Sequence, residues 1–198
     1  MRLKEIMTLL AGVVDDVQGI NRWRYLRQMS CIEELIEAVA FRHYLRNQSL
    51  MGMDRVANIL TIPPEEGDGS LAGDELPHVD SRKIALSPDE YLLGIFDLSG
   101  EMMRFATTSA ALTGKLAAAS SEAGGDASRN VMSDMQALGS FYEMLPQQSD
   151  KTWKFKMETL RASVKKVERI GYGLTVRAGE KPTGWMPDAQ DSNPGSPV

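Results

Sequence analysis

Apolar residues recur at helical spacing along most of the chain. Leu3, Ile6, Leu9, Leu10, Val13, Val14 and Val17 form one stripe, and Gly19 predicts its end. Asn21 is the expected cap of a second helix running to about Gln48, with Trp23, Leu26, Ile32, Leu35, Ile36, Val39 and Ala40 at its apolar positions. A short helix is predicted from Met53 to Leu60, closed by Pro63–Pro64. Ser87-Pro88-Asp89-Glu90 joins a cap, a first-turn proline and early acids, and starts a long helix expected to reach Ala119. After a break at Ser120–Asp126, helices are predicted over 127–145, ended by Pro146, and over 150–177. No stretch alternates at period two over a useful length. The pattern therefore predicts an all-α protein of long antiparallel helices.

Two segments lack the pattern. Pro63–Ser81 is rich in glycine, proline and acids, and is expected to be a mobile acidic loop inside a helical domain spanning 1–179. The proline-bearing tail, 180–198, is expected to be disordered. The N-terminal MRLKEIMTLLAGVV carries early Arg2 and Lys4, but Glu5 interrupts it and Asp15–Asp16 follow, so it reads as an amphipathic helix rather than a signal peptide.

Composition narrows the classes without choosing one. At 198 residues the chain can bury the core of one domain, and 42% hydrophobic with 25% charged residues is ordinary for a globular protein. The net charge of −5 excludes a surface coated in basic groups, yet local patches decide nucleic-acid binding. Cys31 is the single cysteine, which excludes an intramolecular disulfide and a cysteine metal cluster and fits a reducing compartment. No apolar run reaches the roughly 18 residues a membrane span needs, so no membrane partner is expected.

The candidate chemistry lies in acids embedded in helices. Glu34 and Glu37 sit in CIEELIEAVAFRHYL and are i,i+3, so they share a face distinct from that of Ile32, Leu35, Ile36 and Val39. Asp97 and Glu101 are i,i+4 on a stripe that runs Glu90, Leu93, Gly94, Asp97, Gly100, Glu101, Arg104. Gly94 and Gly100 would let a backbone or a substrate come close. If the two helices face each other, the carboxylates converge, and a hard cation such as Mg²⁺ or Mn²⁺ would relieve their repulsion. Such a site suits phosphodiester hydrolysis. The alternative is that these acids form solvated faces or structural ion pairs with arginine. A di-iron site fits poorly, because Glu37 is followed three residues later by Ala40 where that motif needs histidine.

Three segments point to a family. Glu33–Val56 (EELIEAVAFRHYLRNQSLMGMDRV), Asp89–Arg104 (DEYLLGIFDLSGEMMR) and Leu160–Glu180 (LRASVKKVERIGYGLTVRAGE) resemble translin-associated protein X, in the family's order. The resemblance implies a translin-like antiparallel helical bundle. It implies a hollow hetero-oligomer with translin, an octamer, located in cytoplasm and nucleus. It also implies a Mg²⁺-dependent endoribonuclease acting on single-stranded RNA, with single-stranded DNA as a further ligand. The family's catalytic and metal-binding carboxylates fall on Glu34, Glu37 and Asp97, with Glu101 as an auxiliary metal ligand. Family members begin with another long helix and a basic segment, and the resemblance implies that this sequence is to be aligned from the second helix onward.

Asn21–Gln28 (NRWRYLRQ) is similar to a basic aromatic stretch that translin uses for nucleic acid. Arg22, Trp23, Arg24 and Arg27 are its candidate contacts, since arginine neutralises phosphate and aromatics stack on unpaired bases. The competing reading places Trp23 and Leu26 in the core and the arginines in water. Lys151, Lys154, Lys156, Arg161, Lys165, Lys166 and Arg169 make a second basic helix, expected to be mostly a solvated face, with some of its residues able to line an RNA-facing cavity. His43 is expected to pack or cap within its helix, and Cys31 to be a small buried residue. A non-catalytic nucleic-acid-binding scaffold that partners translin is the alternative function.

Overall fold

The computed structural model describes residues 2–14, 16, 19–25, 30–62, 82–117 and 129–177. The fold is all-α. Its helices are α1 (Arg2–Ala11), α2 (Ser30–Asn47), α3 (Met53–Ile59), α4 (Pro88–Thr113), α5 (Val131–Met144) and α6 (Lys151–Arg177), with a 3-10 turn at Gly19–Arg24. Among the described residues the only β-structure is a two-residue antiparallel pairing of β1 (Thr61–Ile62) with β2 (Arg82–Lys83). The expected loop at 63–81 and tail at 180–198 lie outside the described residues. No described helix is long and apolar enough to cross a membrane.

The residues group into two compact units, Met1–Ile95 and Phe96–Val198, with the boundary inside α4. In the first, Ile32, Leu35, Ile36, Val39, Ala40 and Tyr44 of α2 are buried together with Val56, Leu60, Ile84 and Ile95. The Tyr91 hydroxyl donates to the carbonyl of Met51 at 2.7 Å. Gly94 of α4 lies against α2 so closely that a Cβ there would stand 2.7 Å from Cβ of Ile36 and 3.0 Å from the carbonyl of Glu33. Only glycine permits that approach. A Cβ on Gly100 would meet nothing within 4 Å.

In the second unit α5 and α6 pack antiparallel. Glu143 meets Arg161, Gly139 lies against Val164, and Gln136 meets Glu168, so the partner number rises as the other falls. Phe96 stacks on Tyr142 with ring centroids 3.9 Å apart, and Trp153 meets Phe96 edge-on at 5.0 Å. Met102 and Met135 are buried in this unit, whereas Met144 is exposed.

Several helix ends differ from the sequence reading. The first helix stops at Ala11, not near Val17, because Gly12 is a poor helix former and Val13 donates back to Leu10 in a tightened turn. The expected single helix over 21–48 is two elements, the 3-10 turn and α2. α4 ends at Thr113, six residues early, where Gly114 takes φ +67° and donates to Ala110 at 2.9 Å. α5 starts at Val131, capped by Asn130, whose side chain accepts from the backbones of Met132 and Ser133. The predicted start at Ser87 holds: its hydroxyl accepts from the Glu90 backbone and donates to the Glu90 carboxylate. α6 begins as expected after Asp150, which accepts from the backbones of Thr152 and Trp153.

Candidate functional site

The acids on α2 and α4 occupy different electrostatic settings. On α2 the alternation of buried Ile32, Leu35 and Ile36 with the acids leaves Glu34 exposed and Glu37 half-buried. Desolvation of the sulfur by the atoms around it, and secondarily the Glu34 carboxylate, push the Cys31 thiol above its ordinary range. Cys31 itself is exposed, contrary to the expectation of a buried residue.

On α4 the core fixes Asp97. Phe96 is anchored between Tyr142 and Trp153, which aims its neighbour Asp97 toward the next turn of α6 beyond Trp153. There the ammonium of Lys156 donates to Oδ2 of Asp97 at 2.7 Å. The lysine side chain is 15% exposed and the aspartate 35%. Glu101 pairs with Arg104 at 3.2 Å along the same helix. Lys156, read from sequence as part of a mostly solvated basic face, is thus the partner of a candidate catalytic acid. Its 59-residue separation from Asp97 hid the pair. Among the described residues no group of three or more His, Cys, Asp or Glu side chains stands close enough to hold a metal.

The basic aromatic segment is divided by its structure. Arg22 donates to the carbonyl of Ala85 at 2.7 Å and forms an ion pair with Oε2 of Glu90. Glu90 is buried and also accepts from the Ser87 backbone, so Arg22 ties the 3-10 turn to the start of α4. Trp23 is 76% exposed, so the reading that placed it in the core is corrected. The 3-10 turn buries none of its residues, which turns the indole outward. Arg24 and Tyr25 are exposed as well. Leu26 and Arg27 lie outside the described residues. His43 is buried as expected, engaged by Asn47 at Nδ1 and by Ser49 at Nε2.

The chain is thus all-α, with acids at i,i+3 on α2 and at i,i+4 on α4. Residues 1–178 match the Translin family, and the chain belongs to that family. It is 24% identical to translin-associated protein X of Rattus norvegicus over 192 residues, covering 94% of this chain and 63% of that protein. The Mus musculus protein of the same name is 25% identical with the same coverage. Translin of Homo sapiens is 26% identical over 165 residues, covering 82% of this chain and 58% of translin. The chain therefore spans less than two thirds of the length of these relatives.

Proposed function

We propose that this chain is the X-type subunit of a complex with translin, and that it is a Mg²⁺-dependent endoribonuclease cutting single-stranded RNA. The observation that carries the reading is the setting of the acids. Glu34, Glu37 and Asp97 stand on regular helices, beside core residues that fix them, yet each keeps its carboxylate at least partly in reach of solvent. The longer match to translin-associated protein X than to translin supports the X-type assignment.

The donor set is oxygen only, which fits Mg²⁺ or Mn²⁺. By resemblance to translin-associated protein X, the residues that would hold the cation are Glu34, Glu37 and Asp97, with Glu101 in support; no such cluster is gathered among the described residues without it. When bound, it supplies activation of water for in-line attack and stabilisation of charge on the phosphate. The chain's own side chains do the rest. Lys156 holds Asp97 through Oδ2. Trp23 and Tyr25 offer exposed rings for stacking on unpaired bases, and Arg24 offers charge for phosphate. Arg22 instead positions that segment, because Glu90 and Ala85 already take its donors.

One observation favours a second reading, a non-catalytic nucleic-acid-binding scaffold. Asp97 and Glu101 each already face a cationic side chain, Lys156 and Arg104. Cleavage of end-labelled single-stranded RNA by the chain co-purified with translin separates the two. Cutting with Mg²⁺ that stops in excess EDTA supports the nuclease. Binding with no cutting in either condition supports the scaffold.

A further inference from the structure

The first unit contains a second concentration of charge that contiguous sequence hides. Arg42 and Arg46 are i,i+4 on α2 and so lie one turn apart on one face. Arg55 on α3 joins them around a pocket of about 170 Å³ whose wall includes Val39, His43 and Asn47. That volume is more than ten times the roughly 10–15 Å³ a single water needs. None of the three guanidinium groups forms an ion pair with a described acid, whereas Arg22, Arg104, Arg129 and Arg161 all do.

Three like charges around one concavity repel one another, and an anion in the pocket relieves that repulsion. The neighbours do not add a competing charge. Asn47 places its amide 2.9 Å from Nδ1 of His43, and amide hydrogens can only donate, so the ring accepts there. The remaining ring proton then sits on Nε2, which donates to Ser49, and the imidazole is neutral. Guanidinium forks match the oxygens of phosphate, and three from two helices suit a tetrahedral oxyanion better than a planar carboxylate.

We propose that Arg42, Arg46 and Arg55 form a phosphate-binding pocket that holds a backbone phosphate of single-stranded RNA. The proposal rests on the nucleic-acid reading above and adds to it the residues that grip the strand. It shifts the main electrostatic contact away from Arg22, which is committed to Glu90.

The test uses the full chain purified with translin, in EDTA so that cutting does not intervene. Fluorescence anisotropy reads the affinity for a labelled single-stranded RNA across a salt titration. Each lost phosphate contact lowers the slope of log affinity against log salt by about 0.7, so R42Q/R46Q/R55Q should lose about 2 from the slope. Arg129→Gln, a residue paired with Asp134, should leave the slope unchanged. The triple lysine variant keeps the charge and should keep the slope, and it serves as the reference if the glutamine variant melts early. An unchanged slope in the glutamine variant, with its helical signal intact, overturns the proposal while leaving the nuclease reading standing. If the wild-type complex binds no RNA, the nuclease reading falls, and calorimetry with inorganic phosphate then reads the pocket alone. Heat that disappears in the triple glutamine variant supports a phosphate site filled from solution, and no heat in the wild type overturns it.

Discussion

Glu34 on α2 and Asp97 on α4 carry the same functional group in similar sequence surroundings, yet the fold treats them differently. Glu34 faces solvent, and its charge acts on the nearby Cys31 thiol. Asp97 is clamped by Lys156 beside the packed rings of Phe96, Tyr142 and Trp153. A helical acid pair therefore has two components that periodicity cannot separate. One is the face on which the acid lies, which spacing sets. The other is the cation the rest of the chain brings to it, which depends on distant residues.

Losing an acid of α2 should have the greatest consequence. Glu34→Ala or Glu37→Ala should lower Mg²⁺-dependent cleavage by about two orders of magnitude or more, the scale of losing a transition-state charge stabiliser. Assembly with translin, read by size exclusion, should persist. Full activity in either variant would remove α2 from the site.

Stability tests the packing that holds the two helices. Gly94→Ala forces a methyl into Ile36 and should destabilise the protein by about 1–3 kcal/mol. Gly100→Ala meets open space and should stabilise by up to about 1 kcal/mol through helix propensity. Thermal melts of the pair should move in opposite directions, and equal shifts would contradict the close approach at Gly94.

Lys156→Met sharpens the α4 side. The pair is partly solvated, so its loss should cost about 1 kcal/mol or less. Freed of its lysine, Asp97 should need less Mg²⁺ for half-maximal cleavage. A higher requirement would show that Lys156 assists the metal rather than competing with it.

The smallest effect concerns pH. Burial, and secondarily the charge of Arg55, hold the His43 pKa below its ordinary value. The unfolded chain then takes up the proton more readily than the folded one. The stability this represents is complete above about pH 6.5 and is lost as the pH falls from there through the folded value. Arg55→Gln should recover part of the shift, the remainder belonging to burial, as read by the His43 ring resonances.

Much of this arrangement was legible in the sequence. The helical stripes, the capping box at Ser87 and Glu90, the start of α6 at Asp150 and the close contact at Gly94 follow from local spacing and chemistry. The early ends of α1 and α4 followed from Gly12 and Gly114, but apolar residues beyond them continued the pattern and concealed the break. Asp97–Lys156 and Arg22–Glu90 were invisible because each joins residues 59 and 68 positions apart. The arginine pocket had only the i,i+4 repeat of Arg42 and Arg46 as a trace, with Arg55 supplied by the packing of α3.

The most direct measurement is a Mg²⁺ titration of single-stranded RNA cleavage by the translin complexes of wild type and Asp97→Ala, with assembly checked on the same samples. The wild type should cut in a Mg²⁺-dependent way and the variant should not cut at any Mg²⁺ concentration, with both assembled. Equal cutting by the two would contradict the assignment of Asp97 and with it the proposed site.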